Sequence, residues 1–330
     1  MDEQHPSTGK IASDEPYAGL LAQKLSAYRA GAELLERWLR DQMVFGLAAV
    51  ESDPEGRLEQ IAAQLTDAQL PAPASALRGL KRVVGVHADW PERIFAEFGY
   101  WYTLCRLLRR PEQLTREQLG GTLAAFGLNL RRAKVLEEGP QRLDTWTCVG
   151  RETGSDEQLH FRRTYWMGTV PDAYGVQLEF SYGSPPAPSL VETGAQAEFA
   201  MRIYPAGLPG RVALPERFSV VTATEPPPCH ADWATQVDAD VRLVVRQPWR
   251  RELPVAVGGL SPGLRGDQLW LSDAGGEARA VDAGPDDRPA WRLHALAGGR
   301  PCVVYGVQRA GGHLALLSAW VDGRLYALSR

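Results

Sequence analysis

The chain has 330 residues, which is enough for two domains of ordinary size. Hydrophobic residues make up 44% of it and charged residues 23%, as in globular proteins, and the formal net charge is only −4. No segment is basic enough to predict a nucleic-acid-binding surface. No apolar run is long enough to span a membrane, and residues 1–16 lack the apolar core of a signal peptide. We therefore expect a cytoplasmic protein.

The first 140 residues have the apolar spacing of helices. A polar tail, residues 1–15, comes first, and we expect it to be disordered. The most strongly marked helix spans residues 89–110, where Asp89 and Glu92 have the spacing of a capping box. Apolar side chains cover most of its circumference, which predicts burial on most sides. We expect it to be the central helix of an all-helical domain, residues 16–140.

Further helices are predicted around this central one from apolar spacing and from Gly and Pro breaks. They cover residues 17–28, 31–51, 57–68, 75–84 and 114–138. Thr115 is the expected N-cap of the last of them.

After Pro140 the pattern changes to the alternation typical of strands, which predicts a β-rich domain over residues 141–330. One helix interrupts it at 231–246, with Trp233, Val237, Val241 and Val244 in register, and a sub-boundary is expected near 225–230. The predicted strands are 144–151, 159–167, 175–182, 196–204, 218–224, 253–257, 267–272, 277–281, 291–296, 302–308, 313–320 and 325–328. The fold class predicted is α+β: an all-helical N-terminal domain followed by a β-rich, mostly antiparallel domain with one inserted helix.

One motif resembles a catalytic serine site. Gly259-Leu260-Ser261-Pro262-Gly263 has the G-x-S-x-G spacing of a nucleophile elbow, which uses the N–H after the serine as an oxyanion donor. Proline has no backbone N–H, and no helical pattern follows, so we expect an ordinary loop.

Other chemical groups are equally isolated. Cys229 and His230 are adjacent and have no second ligand pair at zinc spacing, so we expect His230 or Asp232 to cap the helix that follows. His87 lies near Asp89, but the sequence identifies no nucleophile for it to activate. No catalytic residue, metal site or cofactor-binding loop is predicted. The four cysteines are too far apart for a zinc site or a disulfide framework: Cys105, Cys148, Cys229 and Cys302.

One turn has the composition of a protein-binding site. Gln247-Pro248-Trp249-Arg250-Arg251 combines a rigid proline with a large aromatic residue and two arginines, the residue types enriched at interaction hot spots. Trp249, Arg250 and Arg251 are therefore the predicted partner-binding residues. The alternative is that Trp249 folds back to cover the end of the preceding helix.

Several stretches, taken in order, resemble a known family. They are Gly31-Ala32-Glu33-Leu34-Leu35-Glu36-Arg37-Trp38-Leu39-Arg40-Asp41, Thr66-Asp67-Ala68-Gln69-Leu70-Pro71, Trp90-Pro91-Glu92-Arg93, Gln247-Pro248-Trp249 and Leu317-Ser318-Ala319-Trp320. Together they are similar to the region that follows the zinc finger in bacterial SWIM zinc-finger family proteins, over roughly residues 30–330. The SWIM signature itself, C-x-C followed by C-x-H, is absent, so zinc binding and finger-mediated nucleic-acid contact do not carry over.

The resemblance implies a stand-alone accessory region. In bacteria that family is typically encoded beside MoxR-type AAA ATPases and von Willebrand factor A-domain proteins. The function expected is therefore a non-enzymatic interaction or adaptor module, with a protein partner and no cofactor. An enzyme of unrecognised class with an inter-domain pocket is the alternative, and a nucleic-acid binder that has lost its finger is a third.

Overall fold

A computed structural model describes residues 16–156, 158–189, 191–281, 287–309 and 312–329. The tail for which we expected disorder, residues 1–15, lies outside this range. The chain forms two compact units. The first ends at Arg131 and also includes Gln247–Trp249, and the second comprises Arg132–Arg246 and the chain from Arg250 onward.

The first unit is helical, and the second is β-rich and mostly antiparallel, which confirms the predicted fold class. The second unit contains more than the one inserted helix that was predicted. The helices of the first unit are α1 (Ala18–Phe45), α2 (Ala48–Ser52), α3 (Pro54–Asp67), α4 (Pro71–Leu80), α5 (Trp90–Leu108) and α6 (Arg116–Ala125), with a short 3-10 turn at Pro111–Gln113.

The predicted helix over 17–28 and most of the one predicted over 31–51 form a single helix, α1, while the end of the second prediction, after Gly46, is the separate helix α2. Gly31 does not break α1. Instead, a Cβ at this position would lie 2.7 Å from Leu70 Cδ1, so the glycine allows close packing inside the bundle. The helix ends at Gly46, whose φ of 76° is readily adopted only by a glycine.

The predicted helix over 114–138 is two helices. The chain leaves the helical path at Gly127, where φ is 116°, and α7 (Arg132–Glu138) follows. Although α7 precedes the predicted domain boundary at residue 140, it belongs to the second unit.

Of the two helix caps predicted in the first unit, the one at Thr115 is present and the one at Asp89 is absent. The hydroxyl of Thr115 accepts the N–H of Gln118 at 3.2 Å, and the side chain of Gln118 accepts the N–H of Thr115 at 2.9 Å, which confirms Thr115 as the N-cap of α6. The capping box predicted at Asp89 is wrong. Its carboxylate makes no cap bond and pairs with Arg93 at 2.9 Å, one turn along α5.

The second unit contains two six-stranded sheets. The first comprises β1 (Gln141–Asp156), β2 (Leu159–Met167), β3 (Tyr174–Tyr182), β4 (Ala195–Ile203), β5 (Gly210–Ala213) and β6 (Val221–Thr222). The second comprises β7 (Glu252–Arg265), β8 (Gln268–Ser272), β9 (Ala278–Ala280), β10 (Cys302–Arg309), β11 (Leu314–Val321) and β12 (Arg324–Ala327).

The first sheet closes on itself. Its pairings run β1-β2-β3-β5-β4 and return to β1, while β6 adds to β4. Only the β3–β5 pairing is parallel among these strands. Trp146, Trp166 and Phe199 fill its interior, and the rings of Trp166 and Phe199 meet edge to face with their centroids 5.4 Å apart.

The second sheet is antiparallel, in the order β12-β11-β10-β7-β8-β9, and packs with two helices, α8 (Trp233–Arg246) and α9 (Arg288–Ala297). The strand predicted at 291–296 is wrong, because this segment is α9. Leu293 on α9 is fully buried in the core beside the sheet. The overlooked helix signals are Pro289 in the first turn and Gly298, which ends the helix with a φ of 57°.

The buried face of α8 differs from the predicted one. Trp233, Gln236 and Leu243 are buried, whereas Val241 and Val244, predicted in register with Trp233, are exposed. A glutamine occupies the buried face because its side chain bonds the backbone of β7, a contact that apolar spacing does not reveal.

Candidate functional site

The indole of Trp249 packs within the helical unit and is 9% exposed. Its backbone carbonyl accepts a hydrogen bond from the hydroxyl of Tyr100, on α5, at 2.8 Å. A Cβ on Gly121, in α6, would overlap the indole ring, so the ring lies directly against that glycine. The side chain therefore packs against α6.

The two arginines of the same turn differ in exposure. Arg250 is largely buried and donates to the carbonyl oxygens of Pro209 and Glu252, the latter at 3.1 Å. Burial lowers the pKa of its guanidinium. Arg251 is exposed. Partner binding by Trp249, Arg250 and Arg251 stays a prediction, with only Arg251 presented to solvent among the three.

The serine, aspartate and histidines considered in the sequence analysis lie in strands, caps and turns. Ser261 lies within β7, paired with Ser272 of β8, and so is not at a strand-to-helix elbow. Asp232 caps α8 by accepting the N–H of Thr235 at 2.8 Å, which confirms the expected role. His230 pairs its backbone with β7, donating to Ala256 and accepting from Gly258. His87 lies in the exposed turn before α5.

The cysteines are free thiols. Burial raises the pKa of Cys105 and of Cys148 to about 12, so both stay protonated at neutral pH and are poor nucleophiles. The described residues contain no group of three His, Cys, Asp or Glu side chains able to hold a metal ion.

A polar cleft lies beside α8 in the second unit. His230, Asp240 and Arg242 are among its lining residues, and burial is the main cause that raises the pKa of Asp240 to about 6. A carboxyl group with such a pKa suits proton transfer. However, the cleft encloses about 100 Å³, whereas small-molecule sites usually enclose roughly 300–1,000 Å³. It has room for a few water molecules.

An apolar groove with a volume of about 640 Å³ lies between α1 and α5 on the helical unit. We call it the α1–α5 groove. Met43 and Val44 of α1 line one side, and Phe95 and Tyr102 of α5 line the other, while Leu39 and Phe98 are buried beneath. Among the described residues that line it, Arg40 is the one that carries a charge.

These large apolar side chains are unusually exposed. Met43 is 61% and Val44 77% exposed, and Phe95 and Tyr102 are 41% and 37% exposed. The spacing of 95, 98, 99 and 102 is i, i+3, i+4 and i+7, which places all four residues on one face of α5. The groove therefore presents a continuous apolar surface that is about two helical turns long.

Gly99 lies in the groove between Phe95 and Tyr102. A Cβ built on it meets no other atom within 4 Å, so the glycine is not required by packing inside the bundle. It keeps the groove open, although alanine would favour the helix by roughly 0.5–1 kcal/mol.

A basic hollow of about 790 Å³ continues from the groove along α1, because Arg40 and Val44 line both depressions. Arg29, Arg37 and Arg40 recur at helical spacing on the exposed face of α1, and none of them forms an ion pair with a described residue. The other charged lining residues are Glu33, Asp41 and Arg109.

Arg109 is held in place by a buried carboxylate. Its Nε donates to Glu36 at 2.6 Å, and Arg106 lies 3.6 Å from the other oxygen of the same carboxylate. The side chain of Glu36 is 1% exposed, so Arg106 of α5 and Arg109, directly after α5, neutralise a charge buried on α1. The hollow retains a positive excess from the three arginines of α1.

The sequence predictions did not identify this groove. They assigned Phe95 and Tyr102 to a helix buried on most sides, but the structure buries α5 through Ile94, Phe98, Trp101 and the residues in line with them. One signal was available. Met43, Val44 and Phe45 form an apolar run at the end of α1, immediately before Gly46, where a surface helix usually carries polar residues.

The helical unit is similar to a known domain family. Residues 23–124 match a family model described as the SWIM-associated four-helix bundle domain. This range includes both walls of the α1–α5 groove, and it confirms the predicted resemblance for the helical part of the chain. No curated protein and no solved structure matches the chain. None of the helices in the described part of the chain is long and apolar enough to cross a bilayer.

Proposed function

We propose that this chain, whose helical unit matches the SWIM-associated four-helix bundle domain, is a protein-interaction module that holds its partner in the α1–α5 groove. The observation that carries the proposal is the exposure of Met43, Val44, Phe95 and Tyr102 around a single depression. Clustered exposed apolar residues on a folded domain are typical of interaction sites, because their contact with water is unfavourable.

The shape of the groove supports a protein partner. Its walls are two neighbouring helices that offer apolar residues over about two turns, the arrangement that accepts an amphipathic helix. Phe95 and Tyr102 supply the aromatic contacts that dominate many interfaces. The polar cleft beside α8, at about 100 Å³, offers less support for the alternative function, catalysis on a small molecule.

The first partners to test come from the family resemblance. A MoxR-type AAA ATPase and a von Willebrand factor A-domain protein are the candidates, with this chain acting as an adaptor module beside them. The sequence-based site at Trp249, Arg250 and Arg251 is a second candidate surface for the same partners.

The test uses one substitution that fills the groove and one that does not. Gly99→Leu adds a side chain inside the groove, where a Cβ meets no atom of the structure. Gly79→Leu is the matched control, because Gly79 is also an exposed helical glycine with open space around it and lies on α4, outside the groove. Both variants gain helix propensity, so loss of fold is not expected in either.

Each purified variant is measured for binding to the purified MoxR-type ATPase and A-domain protein of the same organism. The proposal predicts that wild type and Gly79→Leu bind one of them, and that Gly99→Leu binds it at least tenfold more weakly. Equal binding by all three proteins would contradict the groove as the site, and a lack of binding to either candidate would contradict these partners.

A further inference from the structure

The basic hollow beside the groove specifies what kind of helix the groove takes. We infer that the occupant is an amphipathic helix that carries acidic side chains at one end, so that its apolar face lies in the α1–α5 groove and its acidic end lies in the basic hollow. This inference rests on the proposed function and adds the chemistry of the partner segment.

The groove and the hollow are continuous along α1. Arg29, Arg37, Arg40 and Val44 follow one another on one face of α1, and the last two of them border the apolar wall formed with α5. At 1.5 Å per residue the stretch from position 29 to position 44 extends over roughly 22 Å. A helix of about fifteen residues that lies along this face therefore contacts both depressions at once.

The basic hollow carries more positive than negative side chains. The exposed arginines of α1 have no ion-pair partner among the described residues, and Arg109 adds a guanidinium that is half-exposed. Glu33 and Asp41 offset part of this charge and leave an excess of positive groups. A carboxylate placed in the hollow gains these arginines as partners, whereas a lysine there would be repelled.

The exposed apolar residues favour an acidic helix over a phosphate or a nucleic acid as the occupant. A phosphate or a nucleic acid would use the arginines of the hollow but would leave Met43, Phe95 and Tyr102 in water. An acidic amphipathic helix covers both surfaces with a single segment. The adjoining apolar groove is therefore the feature that selects this occupant.

The experiment is a selection from a displayed library of eighteen-residue amphipathic helices, in which the solvent-facing and terminal positions vary among acidic, basic and neutral residues. The full chain is the bait. The inference predicts that the enriched helices carry two or more Asp or Glu residues at one end. It also predicts that they bind Gly99→Leu at least tenfold more weakly than Gly79→Leu.

Charge variants test the second depression separately. The double variant Arg37→Glu with Arg40→Glu is expected to weaken the selected helices about tenfold and to reduce the salt dependence of their binding. The control is Arg57→Glu with Arg82→Glu, two exposed arginines of the helical unit outside the hollow, and it is expected to bind like wild type.

The outcomes separate the inference from the proposed function. Enriched helices that are neutral or basic, yet are blocked by Gly99→Leu, would overturn the inference and leave the groove as the docking site. Helices that bind Gly99→Leu as well as wild type, or an absence of enriched helices, would overturn both. Binding of a single-stranded oligonucleotide in preference to any helix would favour the nucleic-acid alternative and overturn the inference.

Discussion

Arg109 donates from Nε to the buried carboxylate of Glu36 at 2.6 Å, linking α5 to α1 beside the basic hollow. The two residues differ in environment. Glu36 is 1% exposed, whereas the side chain of Arg109 is 48% exposed. Removing Arg109 therefore leaves a buried carboxylate, whereas removing the carboxylate of Glu36 leaves a hydrated guanidinium.

We predict that Arg109→Gln destabilises the protein more than Glu36→Gln does. The first change leaves a buried carboxylate with only the more distant Arg106 as a cationic partner, at a cost of about 2–3 kcal/mol in the free energy of unfolding. The second leaves a guanidinium that water already reaches, at a cost of about 1 kcal/mol. Urea denaturation measures both, with exposed Arg110→Gln as a control that changes little. Equal costs, or the reverse order, would contradict the argument.

In the helical unit, some structural features could be predicted from the sequence and others could not. The cap at Thr115 and the existence of α5 followed from local spacing, because caps and apolar periodicity act within a few residues. Local spacing did not predict the break at Gly127 or the continuity of α1 through Gly31. A glycine can either end a helix or permit close packing, and the neighbour that decides between these roles is distant in sequence. The exposure of Phe95 and Tyr102 depends on where the other helices lie, which periodicity does not encode.

A second prediction separates structure from binding at the turn predicted from the sequence. Trp249→Ala should lower the stability of the helical unit by about 3–5 kcal/mol, since the indole is buried against Gly121. Thermal melting followed by circular dichroism checks this. An unchanged melting temperature combined with lost partner capture would favour the turn as the binding surface.

The β-rich unit depends on a contact that no apolar pattern indicates. The side-chain amide of Gln236 on α8 accepts the N–H of Ala256 at 3.0 Å and donates to the carbonyl of Pro254 at 3.1 Å. The amide thus pairs two backbone groups at the edge of β7, as a neighbouring strand would. The prediction that Val241 and Val244 face the core failed for this reason, because the hydrogen bonds of Gln236 help to set the rotation of α8.

A third prediction follows from this amide. Gln236→Leu keeps the volume but leaves the N–H of Ala256 and the carbonyl of Pro254 unpaired, which should cost about 1–3 kcal/mol. Gln236→Glu keeps an acceptor for Ala256 but sets a carboxylate beside Pro254 O and Asp240, so it should be destabilised at pH 7 and recover towards pH 5. Chemical denaturation at the two pH values checks both variants. Wild-type stability in Gln236→Leu would show that the edge of β7 does not need the amide.

The fourth prediction concerns Asp240. Burial is the main cause that raises its pKa from 3.8 to about 6, while the hydrogen bond from Gln236 and the charge of Arg279 act in the opposite direction. The folded state therefore binds this proton more tightly than the unfolded state, and wild type loses stability as the pH rises from about 4 to about 6.

Asp240→Asn keeps an acceptor for Gln236 and removes the ionisation. We expect the variant to be more stable than wild type at pH 7 and above, with the difference shrinking through the window from pH 6 to pH 4 and vanishing below it. Urea midpoints measured from pH 3.5 to pH 8 test this. A variant advantage that grows as the pH falls would contradict the raised pKa.

Site-specific photo-crosslinking in living cells tests whether the α1–α5 groove holds a protein partner. A benzophenone amino acid replaces Tyr102 in the groove or, as a control, Tyr182, an exposed tyrosine of the β-rich unit. A partner held in the groove gives a discrete crosslinked protein from position 102, which is absent from position 182 and lost when Gly99→Leu is added. No adduct at position 102, or the same adduct at both positions, would contradict binding in the groove.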